Sequence, residues 1–431
     1  MTPNFNNGTL RFMDLFKFLI RLSYNSIFGK SPTIAIKKFC LGEFNYRFIY
    51  LLSSGRAALY LLLKSIEKNE QNEIIIPAYT CIVIPNAIRY AGYQVKYVDI
   101  EEKTFNINIE HLQNIITSKT KAVVHQYTYG IPNNIVEVQK ICNLNRILFI
   151  EDGAHALGAM YNDQYVGNFG DAAFFSFQAS KMITTFSGGM LITNNSNIGK
   201  SIDKNYQKLK FIDRDREKQM IYLIIKTYFK THLYFCYIYR RFKWFINKIS
   251  PSLSCRIKNW FINPNLNHGE MEFQGEKHSN YLECLPESLQ IILQLQLFNL
   301  KKDVKRRNRI SKQMICILKR KGFKVPEFDS NTVYPSWNRF PILVDDRENS
   351  LREFNRLAIP VGDWFHYPLY QANEKTKQKN NYNEKLYPCA KSVSTRIINL
   401  PINKSVTNSF IKRLNALRHD KESNIIIENN P

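Results

Sequence analysis

The sequence has no Cys-x-x-Cys pair. Its eight cysteines (Cys40, Cys81, Cys142, Cys236, Cys255, Cys284, Cys316 and Cys389) are scattered. This spacing suggests neither a zinc site nor a disulfide framework, so no metal is expected and a reducing cytoplasm is the default compartment. Long apolar runs are missing as well. The apolar stretch Phe12–Leu22 is broken by Asp14, Lys17 and Arg21, so neither a signal peptide nor a membrane-spanning helix is expected. No internal repeat is visible, which excludes a solenoid. Acidic residues are scarce, 36 against 60 Lys and Arg.

The resulting net charge of +24 first suggests a polyanion or an anionic membrane as partner. Its distribution narrows that reading. Residues 200–258 hold 15 basic and 4 acidic residues, and residues 301–324 hold 11 and 1, so the rest of the chain carries only +3. No nucleic-acid module accompanies the charge, and no nucleic acid is expected. With 44% hydrophobic residues over 431 positions, the chain can bury more than one core.

From residue 46 short apolar strands alternate with helical segments. Glu73–Ile76, Val95–Val98, Lys121–His125, Ile147–Ile150, Ala172–Phe177 and Met190–Thr193 read as strands, and Arg56–Ile66 and Thr80–Ala91 as helices. This alternation predicts an α/β fold with a mostly parallel sheet. The chain divides into an N-terminal arm (1–45) with a helix near Leu10–Tyr24, a large domain (46–200), a basic aromatic insert (201–280), and a long helix with a smaller C-terminal domain (281–431). Pro286–Lys321 reads as one helix, Asn338–Val344 and Arg396–Leu400 as strands, and Gln371–Lys385 as an exposed loop.

Chemistry concentrates between residues 147 and 193. Asp152 follows a strand, where ligands bind in parallel sheets. Lys181 follows Phe174-Phe175-Ser176-Phe177, and Gly188-Gly189 makes a tight turn into the next strand. Upstream, Ser53-Ser54-Gly55-Arg56 opens a helix whose N–H groups suit a phosphate. An amine for an aldehyde, a carboxylate for a pyridinium nitrogen and a phosphate cradle together describe a site for pyridoxal phosphate (PLP).

The blocks SSGRAAL (53–59), IIIPAYT (74–80), AIRYAGYQVKYVDI (87–100), EDGAHALGA (151–159), VGNFGDAAFFSF (166–177), SKMITTFSGGM (180–190) and NLPI (399–402) resemble the DegT/StrS-type sugar aminotransferases in order and spacing. The resemblance covers residues 45–195, and 285–415 more weakly. It implies a fold-type-I PLP enzyme with a mostly parallel seven-stranded sheet and a smaller α+β domain. It implies that Lys181 carries the cofactor and moves protons, and that Asp152 holds the pyridine nitrogen protonated. Ala154 would lie against the ring and His155 at its phenolic oxygen. Ser176 and the backbone of Gly55 and Arg56 would hold the phosphate.

The implied reaction moves an amino group, from glutamate, to a nucleotide-linked keto sugar for cell-surface polysaccharide or glycan, in a homodimer. Two departures stand out. Cys81 replaces an aromatic that stacks on the cofactor ring, leaving Tyr79 or a distant residue for that role. A Gly-x-Asn-x-Arg element, from which the neighbouring subunit binds phosphate, is missing before the long helix, with Asn280 as a candidate substitute. Sugar dehydration on the same fold is one alternative, although such enzymes are expected to carry histidine in place of Lys181. A non-catalytic, regulatory PLP-binding protein at the membrane is another.

The insert motivates that second alternative. On a helical wheel Lys226, Lys230, Arg240, Arg241 and Lys248 share one stripe within 220–249, and aromatics fill the rest. The pattern fits peripheral contact with the inner membrane surface or a helix docked on its own protein, whose stripe faces water.

Overall fold

A computed structural model describes residues 10–28, 31–231, 268–403 and 406–418. Ten strands build the large domain: β1 (Phe48–Leu52), β2 (Glu73–Pro77), β3 (Thr80–Cys81), β4 (Gln94–Val98), β5 (Thr120–Gln126), β6 (Leu148–Asp152), β7 (Met160–Tyr161), β8 (Gln164–Tyr165), β9 (Ala172–Ser176) and β10 (Gly189–Thr193). Seven of them form one sheet in the order β1-β10-β9-β6-β5-β2-β4. All its pairings are parallel except the two made by β10. Alternation along the strands feeds a core on each face: Ile150 and Phe174 enter one, Phe149 and Phe175 the other.

The helices explain the remaining architecture. α1 (Phe12–Phe28) and α2 (Pro32–Phe44) form the arm, and both pack on the helix Glu287–Leu297. α3 (Gly55–Ser65) starts where Ser54 caps it, its hydroxyl accepting the Ala57 N–H at 3.2 Å. Thr80–Ala91 is a two-residue strand followed by the helix Val83–Ala91, not one helix. Pro286–Lys321 is likewise two helices, Glu287–Leu297 and Leu300–Arg320, interrupted at Phe298 and Asn299. In the C-terminal region β11 (Val333–Tyr334) pairs with β7, β12 (Phe340–Leu343) pairs with β14 (Ile397–Leu400), and β13 (Leu369–Tyr370) joins β3 in parallel.

Gln371–Lys385 is not an exposed loop. It holds the helix Glu374–Lys379, capped by Asn373, and buries Thr376, Asn380 and Tyr382. Hydrogen bonds hold it: Asn380 Nδ2 donates to Asn86 Oδ1 at 2.9 Å, and the Tyr382 hydroxyl to the Ala78 carbonyl at 3.0 Å. Polar composition hid this because these groups find buried partners.

Of the insert, the helix Arg214–Thr231 and the short helix His268–Phe273 are described. Arg240, Arg241 and Lys248 lie outside the described residues. In the described part, Ile224 and Tyr228 are buried, each about 160° around the helix from Lys226 at about 100° per residue. This portion therefore docks its apolar face on the protein itself.

Candidate active site

The topology brings four chain segments to one end of the sheet. β6 is central, between β5 and β9, and ends on Asp152. β9 ends on Ser176, which pairs with Gly189 of β10, and Gly189 also pairs with Leu52 just before α3. A Cβ on Gly189 would lie 2.3 Å from the Ser54 carbonyl carbon. Only glycine lets β10 pass this close to the helix N-terminus. A Cβ on Gly55 would approach Ser176 Cβ to 3.0 Å. These close approaches leave a backbone cradle beside a hydroxyl.

Adjacent carboxylates take opposite tasks. Glu151 is fully buried and accepts from the Tyr127 hydroxyl (2.7 Å) and the N–H groups of Gly167, Phe169 and Gly170 (2.7, 2.9 and 2.7 Å). It is a structural anchor. Asp152, one residue on, faces the cleft and accepts the Ala154 N–H at 2.9 Å. Burial pushes the Asp152 carboxyl up to about 6, against the opposing pull of the Ala154 N–H and the Lys181 charge. Burial pulls Lys181 down to about 8, while Asp152 opposes that fall.

The cleft, about 360 Å³, is lined by all seven residues expected at the site: Gly55, Arg56, Asp152, Ala154, His155, Ser176 and Lys181. Burial, and then the charges of Lys181 and Arg339, hold the His155 imidazole well below its ordinary value, so it is neutral. Its Nδ1 accepts the Tyr129 N–H at 3.3 Å, which puts the ring proton on Nε2 as a donor. At the N-terminus of α3, Ser54 takes the N–H groups of Ala57 and Ala58. Helix geometry leaves those of Gly55 and Arg56 for a ligand.

Four further residues singled out in the sequence take these places. Tyr79 does not line the cleft. It is fully buried, its hydroxyl 2.9 Å from that of Tyr129 and donating to the Phe365 carbonyl at 3.1 Å. Cys81 does line it, with Sγ 3.8 Å from Gln371 Oε1. Asn280 is exposed and does not line its own chain's cleft, and the role expected of it is toward a neighbouring subunit. The Arg56 guanidinium, instead of lying free on the first helical turn, pairs with buried Glu272.

Three contributors had no sequence signal. Trp364 places its ring 4.9 Å from Lys181 Nζ and 4.6 Å from the His155 ring. Arg339, buried at the start of the β12 segment, lies 4.4 Å from the same ring. Glu272, the Arg56 partner, belongs to the short helix His268–Phe273 near the end of the insert. The pairing of β3 with β13 carries the C-terminal aromatics to the cleft.

The donor set fits PLP: an amine for its aldehyde, a buried carboxylate for its pyridine nitrogen, a neutral imidazole N–H for its phenolic oxygen, and a helix N-terminus with a serine for its phosphate. No group of three or more potential metal ligands occurs among the described residues.

Residues 45–223 and 268–416 match the model of the DegT/DnrJ/EryC1/StrS aminotransferase family, and the chain belongs to that family. GDP-perosamine synthase of Escherichia coli O157:H7 is 37% identical over 147 residues, 34% of this chain and 40% of that protein. GDP-4-keto-6-deoxy-D-mannose 3-dehydratase of Escherichia coli O55:H7 is 32% identical over 161 residues, 36% of this chain and 42% of that one. The matched stretches thus span less than half the length of these curated relatives. The PMP form of a putative sugar aminotransferase from Streptococcus pneumoniae superposes with a TM-score of 0.72 at 18% identity, covering 97% of this chain and 98% of that one. That likeness establishes the fold: an α/β fold-type-I architecture with a mostly parallel seven-stranded sheet.

Proposed function

We propose that this protein is a PLP-dependent aminotransferase that moves an amino group from glutamate to a nucleotide-linked keto sugar, as a homodimer in polysaccharide or glycan biosynthesis. The observation that carries the reading is that Lys181 and the buried carboxylate of Asp152 line one cleft with the Ser54-capped helix. When bound, PLP supplies an aldehyde and an electron-withdrawing ring. The chain's own groups do the rest. Lys181 Nζ, brought toward neutrality by burial, is a nucleophile and takes and returns the proton of the donor's α-carbon. Asp152 would keep a proton on the pyridine nitrogen. His155 Nε2–H would donate to the phenolic oxygen, and Ser176 with the α3 N–H groups would hold the phosphate.

Arg339 supports an acidic amino donor, because a buried guanidinium in the cleft favours a carboxylate. Lysine at position 181, instead of histidine, favours transamination over sugar dehydration. Ile224 and Tyr228 of the described part of 220–249 are buried, and residues 232–249 lie outside the described residues, so membrane contact there forms no part of this reading.

The test is a half-reaction. Glutamate added to PLP-loaded protein should bleach the visible cofactor band and release 2-oxoglutarate, and a nucleotide keto sugar should restore the band. Lys181→Ala should lack the band from the start. If no amino donor bleaches the wild-type protein, the proposal is wrong.

A further inference from the structure

Half of the exposed large hydrophobic side chains among the described residues sit in the two arm helices. Phe12, Met13, Phe16, Leu19 and Ile20 are 48, 53, 50, 41 and 50% exposed on α1, and Ile34 and Leu41 are 59 and 51% exposed on α2. They are not scattered. At about 100° per residue the five on α1 fill an arc of about 120°. Leu15 and Phe18, on the opposite side of the same helix, are buried. α1 is therefore apolar on its outer face as well as its inner one. On α2, Ile34 and Leu41 share the exposed face with Lys37 and Lys38.

Both helices rest on Glu287–Leu297: Arg21 Nη1 donates to Gln294 Oε1 at 3.0 Å, and Thr33 Oγ1 to Gln290 Oε1 at 2.5 Å. Their outer faces thus lie on one side of the molecule. A cluster of this kind on one side marks a contact surface.

The charges around it select the partner. Lys17, Arg21, Lys37 and Lys38 are exposed beside the apolar residues. The two acids of the arm are engaged elsewhere: Asp14 is 5% exposed, and Glu43 pairs with Lys301. A second copy of the same face would set Lys17, Arg21, Lys37 and Lys38 against their own counterparts, so this face favours an anionic partner, wherever the protomers pair. Aromatic and aliphatic residues bordered by lysines match the boundary between headgroups and acyl chains. Among the described residues no helix is long and apolar enough to cross a membrane, so the arm would lie on the surface.

We propose that the outer face of α1 and α2 docks this protein on an anionic lipid membrane. The arm precedes the stretch that matches the family, and none of its residues lines the cleft.

The test is flotation of the full-length protein with vesicles of phosphatidylglycerol and phosphatidylcholine in equal parts, against phosphatidylcholine alone. The wild type should float with the anionic vesicles, and less so as salt rises. The triple variant Phe16→Gln, Leu19→Gln, Ile20→Gln keeps good helix formers and should lose about 100-fold in partitioning. Replacing Lys17, Lys37 and Lys38 by glutamine should cost about tenfold or more and flatten the salt dependence. Unchanged helicity and cofactor band in both variants would show that the fold is intact. Equal partitioning of the wild type and the apolar variant overturns the proposal. So does sedimentation showing that this variant splits a dimer, which would make the face an interface between copies.

Discussion

The state of Lys181 gives the most direct test of the site's electrostatics. An ordinary lysine with a midpoint of 10.5 is about 0.03% neutral at pH 7, whereas Lys181, held at about 8, is roughly 10% neutral there. Burial thus raises the population of reactive amine about 300-fold. Capture of added PLP by cofactor-free protein should then accelerate about tenfold per pH unit up to pH 8 and level off above it. The assay is stopped-flow absorbance at the cofactor band, with Lys181→Ala as the blank.

Asp152 decides the direction of a second shift. Its carboxylate favours the charged ammonium and so opposes the effect of burial. Asp152→Asn should therefore move the midpoint of capture below about 8, even where it weakens cofactor binding, because a midpoint does not depend on amplitude. A capture rate that still climbs through pH 10 would show that Lys181 is an ordinary solvated amine. An upward shift in Asp152→Asn would refute the assigned electrostatic coupling of the two groups.

Gly189→Ala should force backbone apart at the α3 N-terminus, where the new Cβ would lie 2.3 Å from the Ser54 carbonyl carbon. We expect a loss of about 1–3 kcal/mol of stability and weaker PLP binding, measured by thermal unfolding and by cofactor titration. His125 is fully buried, donates Nε2–H to the Asn133 carbonyl at 2.7 Å, and is pulled by burial from 6.5 to about 4. The unfolded chain binds its proton as pH falls through 6.5 while the fold refuses it until about pH 4, so stability falls over that window by up to about 3 kcal/mol. His125→Gln should flatten this slope in urea midpoints measured from pH 7 to pH 4.

The sheet and half of the cleft were legible because each depends on contiguous residues. Ile147–Ile150 and Ala172–Phe177 declare strands by their apolar runs, and Asp152, His155 and Ser176 belong to those same local blocks. The other wall was illegible for a physical reason. Arg339, Trp364 and Glu272 reach the cleft only through tertiary pairing, and nothing in their neighbours in sequence distinguishes a buried guanidinium from a solvated one. Arg56 makes the point sharply. Read alone, it is a surface cation near a phosphate. In the fold it is neutralised by Glu272, whose own carboxyl is pushed up by burial and held back by Arg56 and the Tyr281 hydroxyl. Counting charge along the chain therefore says little about the field in the cleft. Near α3 that field comes from an ion pair that largely cancels, and the phosphate is left to the uncancelled N–H groups at the helix N-terminus. The same limit applies to the arm. Asp14, Lys17 and Arg21 interrupt the apolar stretch on paper, yet Asp14 turns inward and the apolar side chains stay together on the outer face.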